Sequence, residues 1–155
     1  MTTPAPHPDA PLADARMLGL AHYAARGVLE PVLARHGITF QEQVALRAAV
    51  TGAPQTRDDL AARVRDSLKA GPAEAAAAVD GLLAKRLLSR TDGALLAATD
   101  AGRRLLTAVA AESAPVSARV WDGIPAGDLA AAARVLTLVT AHAEAELAAA
   151  AGGSA

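Results

Sequence analysis

The chain has 155 residues, enough for one domain with a hydrophobic core, and it contains no cysteine. This excludes a disulfide framework, a thiolate nucleophile and a cysteine-based metal site. Fifteen basic residues oppose sixteen acidic ones, so the formal charge of −1 gives no global attraction for nucleic acid. The start of the chain lacks the features of a signal peptide, and no apolar stretch approaches the roughly 18 residues of a membrane span. We therefore expect a soluble, cytoplasmic protein with no membrane partner.

The beginning of the chain predicts a disordered arm followed by a long helix. Residues 1–10 hold three prolines among small polar residues and offer nothing to bury. Residues 11–36 show a helical spacing of apolar residues, and Gly37 can end the helix. Pro31 predicts a kink or a division near Gly27. The candidate inward residues are Leu12, Leu18, Tyr23, Val28, Leu29, Val32 and Leu33.

Two short helices should follow, each opened by a threonine. Thr39 precedes a helix over residues 40–50, and Glu42, three residues later, completes a capping box. Thr56 and Asp59 mark the start of the next helix in the segment TRDDLAARVRDSL. Thr51 to Pro54 form a breaker that separates the two helices.

The segment GPAEAAAAVDGLLAKRLLSR, residues 71–90, predicts the second helix of a helix-turn-helix. Pro72 suits the first helical position, and Glu74 complements the exposed N–H groups of the first turn. Lys85 and Arg86 would lie in the last turn, where cations suit the carbonyl end. The buried stripe is predicted to be Ala75, Ala78, Val79, Leu82 and Leu83. The outward positions are predicted to be Ala73, Glu74, Ala76, Ala77 and Gly81.

A hairpin and two long helices complete the chain. Asp92-Gly93 between short apolar runs predicts a β-hairpin in residues 88–98. A helix over residues 100–122 should follow, with Pro115 as a kink, and then a last helix over residues 128–150 and a frayed tail at 151–155. The apolar positions of these helices are Leu105, Leu106, Val109, Val116, Val120, Leu129, Ala132, Val135, Leu136, Val139 and Leu147.

This ordered set of elements resembles the MarR family of winged-helix regulators. The resemblance covers about residues 18–147, and it is carried by Gly37-Ile38-Thr39, Pro72, Val79-Asp80, Leu87-Leu88-Ser89-Arg90, the hairpin, and Thr99 with Gly102. It implies a mostly α fold with a winged helix-turn-helix at residues 37–99, a short β-hairpin wing, and dimerisation helices at 11–36 and 100–150. An obligate homodimer is expected, because the apolar positions of these helices exceed what one winged domain can cover.

The resemblance also implies duplex DNA as a partner, although the contact residues are depleted. The family's recognition helix usually presents Ser, Thr and Arg, whereas this one presents alanines and Glu74, which could read only thymine methyls and shape. The wing is several residues shorter than the wing of the family, and it lacks the arginine of the family's Asp-x-Arg motif. Binding should therefore be weak and of low specificity. The candidate phosphate contacts are Arg57, Arg65, Lys69, Lys85, Arg86 and, at the base of the wing, Arg90.

A cavity for a small aromatic or anionic ligand is a second implied site, between the dimerisation helices and the winged domain. His22 and Arg26 lie one helical turn apart beside Tyr23, and Arg47 on the next helix could join them. An arginine would pair the ligand's carboxylate, and His22 would donate a hydrogen bond. The alternative is that His22 is a partly buried, hydrogen-bonded histidine and Arg26 a solvated charge.

Enzyme chemistry has no positive support in the sequence. It contains no Ser-His-Asp order, no phosphate-cradling glycine loop and no HExxH pattern, and Glu144 and Glu146 lie on different faces of a helix. No catalytic residue, metal or cofactor is therefore predicted. Three functions remain: a ligand-responsive DNA-binding transcriptional regulator, which we favour; a small-molecule-binding protein that has lost operator recognition; and a protein whose pocket serves catalysis.

Overall fold

The computed structural model describes residues 12–91 and 93–153, and its elements follow the predicted order. They are α1 (Ala15–Arg35), α2 (Phe40–Thr51), α3 (Arg57–Leu68), α4 (Pro72–Ala84), β1 (Leu88–Arg90), β2 (Leu96–Ala98), α5 (Asp100–Trp121) and α6 (Ala126–Gly152). The predicted fold class, mostly α with a two-stranded wing, is confirmed. The arm predicted at residues 1–10 lies outside the described residues. The chain divides into two compact units, one ending at Val116 and the other beginning at Ser117.

The first helix is capped by Asp14, whose carboxylate accepts the N–H of Met17 at 2.8 Å. It continues through Gly27 and Pro31, so it is not divided there. Pro31 has no N–H to donate to the preceding turn, yet it lies inside the continuous helix. Only the C-terminal end of α1 enters the core, through Val32 and Leu33. The other predicted inward residues are exposed or, for Leu29, half-buried in the single chain: Leu12, Leu18, Tyr23 and Val28.

Both threonine caps are confirmed. The Thr39 hydroxyl accepts the N–H of Glu42 at 3.1 Å, and the Glu42 carboxylate accepts the N–H of Thr39 at 2.9 Å, which completes the capping box at the start of α2. At α3, the Thr56 hydroxyl accepts the N–H of Asp59 at 3.1 Å and donates to its carboxylate at 2.7 Å. Pro72 is the first residue of α4, as predicted.

The core of the first unit lies among α2, α3, α4 and the wing. Its large, fully buried side chains come from these elements, from the end of α1 and from α5: Leu33, Leu46, Leu60, Val64, Val79, Leu82, Leu88, Leu96 and Val109. Such a side chain contributes about 1.5–3 kcal/mol when fully buried, so this cluster fixes the angle between α3 and α4 far more than any surface contact does.

The predicted hairpin is confirmed as an antiparallel pair in which Leu88 faces Ala98 and Arg90 faces Leu96. Gly93 and Ala94 have φ values of 84° and 70°, the left-handed conformation that a tight hairpin turn requires. Leu88 and Leu96 are buried, so the wing is attached to the core by one leucine from each strand. Arg90 is the last residue of β1, at the turn end of the wing and not at its base.

Thr99 and Gly102 join the wing to α5. The Thr99 hydroxyl donates to the carbonyl oxygen of Arg86 at 2.9 Å and accepts the N–H of Gly102 at 3.0 Å. A Cβ at Gly102 would lie 2.3 Å from the carbonyl oxygen of Leu87. The pair of residues therefore allows the start of α5 to approach the backbone that follows α4, which explains the Thr-x-x-Gly spacing.

The last helix begins at Ala126, ends at Gly152 and has no buried residue in the single chain. It is longer than predicted at both ends, so residues 151 and 152 of the predicted frayed tail are helical, and Gly153 caps the helix. Residues 154–155 lie outside the described residues. Among the described residues no single helix is long and apolar enough to cross a membrane, and only α5 and α6 together, as a bent pair, meet that test. The exposed large apolar side chains of α6 are Val135, Leu136, Leu138, Val139 and Leu147.

Candidate DNA-binding surface and ligand cavity

Helix α4, which the sequence predicts to be the recognition helix, exposes small and acidic side chains. Ala73, Glu74, Ala77 and Asp80 are exposed, while the predicted stripe is buried except for the half-buried Leu83. Gly81 does not face outward as predicted. A Cβ there would lie 2.3 Å from Oε1 of Glu42, so this position faces α2, whose buried carboxylate occupies the space.

Arg57, a candidate phosphate contact, is paired with the recognition helix itself. Its Nε and Nη2 donate to the two carboxylate oxygens of Asp80 at 2.7 and 2.6 Å, and Nη1 donates to Asp58 at 3.3 Å. The hydrogen bonds from Arg57 hold the pKa of the Asp80 carboxyl below its usual range, with a weaker contribution from Arg90. Asp80 likewise raises the pKa of Arg57. Both partners are solvent-accessible, so a phosphate must compete with Asp80 for this guanidinium.

Lys85 is paired with a buried acid. Its Nζ donates to both oxygens of Glu42 at 2.8 and 2.6 Å, and the Glu42 side chain is only 7% exposed. Breaking this pair would leave an uncompensated carboxylate inside the protein. Lys85 therefore holds α4 against α2, and it is poorly placed to neutralise a phosphate at the same time.

The end of α4 differs from the prediction. The helix stops at Ala84, so Lys85 and Arg86 lie beyond it, and Arg86 has a φ of 57°. The N–H of Leu87 bonds to the carbonyl of Leu82 at 2.9 Å and that of Arg86 to Leu83 at 3.0 Å, which is a Schellman motif with arginine in the usual glycine position. Leu82 and Leu87 are both buried, and this apolar contact sustains the motif.

The remaining candidate cations differ in their surroundings. Arg65 donates to Asp66 at 3.1 Å. Lys69 ends α3 with a φ of 51°. Arg86 and Arg90 are exposed, and within residues 12–91 and 93–153 neither side chain makes an ion pair. These two arginines, one directly after α4 and one on the wing, are therefore exposed candidates that no carboxylate of the described residues pairs.

A cavity of about 490 Å³ lies between α1, the start of α2 and the turn from α3 to α4. His22 and Arg26 line it, together with Phe40, Gln41, Lys69 and Glu74. Tyr23 and Arg47 do not line it. Tyr23 is 70% exposed and packs edge-on against the His22 ring at 5.5 Å, and the Arg47 side chain is exposed on α2. The cavity thus brings together two of the four candidate ligand residues.

Arg26 is fixed by two neighbours. Its Nε donates to Glu30 at 2.7 Å, and its guanidinium lies 4.8 Å from the centre of the Phe40 ring. The terminal nitrogens remain able to donate to an anion in the cavity, because the ion pair to Glu30 uses Nε. A bound carboxylate would meet a guanidinium whose orientation is already set.

Sequence reasoning did not identify Gln41 as a residue of this cavity. This residue donates from Nε2 to Oε1 of Glu74 at 2.7 Å and thereby joins α2 to the first turn of the recognition helix, inside the cavity. A single glutamine in a helix has no signature, and its partner is 33 residues away. Among the described residues, no group of three or more His, Asp or Glu side chains could hold a metal ion.

The structure has the architecture of a winged helix-turn-helix protein, and the solved structures that it resembles include MarR-family transcriptional regulators. CouR from Rhodococcus jostii RHA1, bound to p-coumaroyl-CoA, is 23% identical with a TM-score of 0.66, over 79% of this chain and 88% of that one. The Mycobacterium tuberculosis MarR-family protein Rv2887 in complex with DNA is 21% identical with a TM-score of 0.64, over 84% and 98%. Reduced MarR from E. coli is 15% identical with a TM-score of 0.66, over 84% and 96%.

The protein therefore has the MarR fold. The sequence matches no protein-family model and no curated protein.

Proposed function

We propose that this protein is a ligand-responsive, DNA-binding transcriptional regulator of the MarR type. The observation that carries the proposal is the placement of two accessible arginines around the helix-turn-helix: Arg86 directly follows α4, and Arg90 lies on the wing. The fold supports it, since a MarR-family protein of this fold has been solved with DNA and another with p-coumaroyl-CoA. The protein would act in the cytoplasm as a homodimer.

Binding to DNA would rest on phosphates and would discriminate weakly among sequences. The exposed methyl groups of Ala73 and Ala77 donate no hydrogen bond to a base edge, and Glu74 and Asp80 repel the phosphate backbone. With two or three cations per subunit reaching phosphate, the dimer should show a slope of log K against log salt of roughly −4 to −5.

Arg90→Ala tests this mode of binding. Loss of the Arg90 side chain should weaken binding to every duplex by the same factor. The slope of log K against log salt should become shallower by about 2 for the dimer, because each subunit loses one phosphate contact that contributes about 0.9 to the slope. Arg134→Ala is the matched control, since it removes an exposed arginine of α6, outside the winged unit. Equal effects of the two substitutions would contradict the role given to Arg90.

The ligand is proposed to be a small aromatic carboxylate in the cavity lined by His22 and Arg26. Binding should raise the melting temperature, increasingly as the ligand exceeds its dissociation constant. Arg26→Ala should cost more binding than His22→Ala, because the carboxylate–guanidinium pair dominates. Arg16→Ala, an exposed arginine on the same helix, is the control. The site would be contradicted if such acids did not raise the melting temperature of the wild type. It would also be contradicted if they raised the melting temperatures of Arg26→Ala and His22→Ala by the same amount.

A small-molecule-binding protein without operator recognition is the second candidate. It is favoured by one specific observation: Arg57, Arg65 and Lys85 each donate to a carboxylate of the protein itself. This candidate predicts a ligand-dependent rise in melting temperature together with no binding to any duplex at low salt.

A further inference from the structure

Two kinds of residue follow the helices of this protein in the left-handed backbone conformation. Gly37 and Gly123, just after α1 and α5, have φ values of 69° and 74°. Lys69 and Arg86, just after α3 and α4, have φ values of 51° and 57°. In this conformation a Cβ lies too close to the following carbonyl oxygen, so glycine adopts it freely and other residues do so at a cost in free energy. The chain thus places a basic residue after each of these two helices, where it has glycine after α1 and α5.

The backbone of Arg86 is held in this conformation from both sides. Its N–H donates to the carbonyl oxygen of Leu83 at 3.0 Å, and its own carbonyl oxygen accepts the hydroxyl of Thr99 at 2.9 Å. The preceding residue, Lys85, is bound to a buried carboxylate, and the following residue, Leu87, is itself buried. The Cα of Arg86 therefore has a fixed position, although its side chain is exposed.

The side chain of Arg86 offers no contact that would offset this conformation. Within residues 12–91 and 93–153 it makes no ion pair. Residues other than glycine that are held in the left-handed conformation are concentrated at functional sites. Two explanations for the arginine compete: its charge stabilises the carbonyl end of α4, or its guanidinium binds another molecule. They predict opposite effects of glycine at this position on the stability of the protein.

We infer that Arg86 stands in a position suited to glycine because its guanidinium contacts a phosphate of the bound duplex, and that this choice lowers the stability of the free protein. The inference rests on the proposed function, and it names the residue at which DNA affinity and stability oppose each other. A side chain whose Cα is already fixed loses less conformational freedom on binding than one on a mobile segment. Glycine at this position would give a more stable protein that binds DNA more weakly.

Thermal unfolding of Arg86→Gly tests the effect on stability. The melting temperature should rise by about 2–4 °C, because glycine relieves the contact of the Cβ with the backbone. Gly37→Arg is the reciprocal control, since it places the same side chain in the same conformation after α1, where a Cβ meets nothing within 4 Å. This variant should melt at a lower temperature than the wild type. A melting temperature of Arg86→Gly equal to or below that of the wild type would overturn the inference, because the arginine would then stabilise the end of α4.

Fluorescence anisotropy with a labelled duplex, at about 0.05 M and about 0.2 M salt, tests the contact with DNA. Arg86→Gly should bind at least about tenfold more weakly at the lower salt, and the slope of log K against log salt should become shallower by about 2, because each subunit loses one phosphate contact. Arg86→Lys keeps the charge and should keep the slope of the wild type. Ala94→Gly is the matched control: Ala94 has a φ of 70° and no charge, so this substitution should raise the melting temperature and leave the slope unchanged.

The outcomes separate this inference from the proposed function. Unchanged affinity of Arg86→Gly for a duplex that the wild type binds would overturn the phosphate contact and leave the proposed function standing. An equal loss of affinity in Ala94→Gly would also overturn the contact, because the loss would then follow from the change of backbone and not from the missing charge. A wild type that binds no duplex at the lower salt would contradict the proposed function and the inference together.

Discussion

Arg57, the first residue of α3, donates two hydrogen bonds to the carboxylate of Asp80 on the exposed face of α4, at 2.7 and 2.6 Å. The geometry is that of a guanidinium binding a planar anion, the arrangement with which arginine also binds phosphate. Asp80 thus occupies the donors that a DNA backbone would use. The pair lowers the pKa of the Asp80 carboxyl, so the acid stays ionised and competes throughout the physiological range.

Asp80→Ala should therefore strengthen DNA binding. The substitution removes one negative charge from the recognition helix and frees Arg57 for a phosphate, and the salt slope of a dimer should steepen by about 2. Asp128→Ala, which removes the same charge from the first turn of α6, is the control for net charge. Fluorescence anisotropy at several salt concentrations measures both quantities, and an equal gain in both variants would show that Arg57 does not reach the DNA.

Gly81→Ala should destabilise the protein, against the usual trend. Alanine inside a helix is normally about 1 kcal/mol better than glycine. Here the added methyl would lie 2.3 Å from Glu42 Oε1, and this carboxylate is held in place by Lys85 and by the N–H of Thr39. We expect a loss of about 1–3 kcal/mol, as for an overpacked core. Urea unfolding measures the change in unfolding free energy of this variant and of Gly27→Ala, where a Cβ meets nothing within 4 Å. Gly81→Ala should lower the unfolding free energy and Gly27→Ala should raise it.

Glu112 should contribute stability that is lost in acid. Its carboxylate accepts from Arg35 Nε at 2.7 Å, accepts also from Arg35 Nη2, and lies 2.9 Å from Nε2 of His36. The hydrogen bonds from Arg35, and then those from His36, lower its pKa from the ordinary value of 4.5. A folded-state pKa below the unfolded one means that the contribution is complete above about pH 4.5 and disappears as the pH falls through the folded value.

The comparison of wild type with Glu112→Gln from about pH 7 to pH 3 measures this contribution. The difference in unfolding free energy should be constant near neutrality and should vanish at the acid end. Glu146→Gln, an exposed glutamate of α6, corrects for the change in net charge. A difference between wild type and E112Q that does not depend on pH would exclude the proposed role of the ionised carboxylate.

The features that the sequence predicted correctly depend on neighbours a few residues apart. The starts of three helices could be predicted because a cap involves only residues of the next turn. These starts are marked by Thr39 with Glu42, by Thr56 with Asp59, and by Pro72. The pairing of charges is different: Glu42 and Lys85 are 43 positions apart, and Arg57 and Asp80 are 23 apart. Sequence reasoning could count these charges, but only the packing of α2, α3 and α4 decides which of them meet.

The end of α4 shows the same limit. Arg86 has the left-handed backbone conformation that glycine usually adopts just after a helix, so no glycine in the sequence indicates that α4 ends here. The buried contact between Leu82 and Leu87 holds Arg86 in this conformation. The apolar face of α6 is the converse case, since its helical period was correctly predicted but its residues are exposed in the single chain. The sequence predicts the period of that face, but no residue of α6 is buried by the packing of the single chain.

The dimer predicted from α1, α5 and α6 can be tested on this face. Leu136→Asp should give a monomer at micromolar concentration in sedimentation, because a carboxylate would be buried in the interface without a partner. Ala145→Asp is the control: it adds the same charge nine residues later, about 180° around the helix. A monomeric wild type, or dissociation of both variants alike, would contradict the predicted interface.

Titration of the wild-type protein into its own promoter region and into an unrelated duplex tests the proposed function most directly. Measurements at about 0.05 M and about 0.2 M salt give both the affinity and its salt dependence. We expect both duplexes to bind with similar affinity at the lower salt, and to weaken together with a slope of roughly −4 to −5. Nanomolar, promoter-selective binding at the higher salt would contradict the expectation of weak readout, and no binding to either duplex at the lower salt would contradict a DNA-binding function altogether.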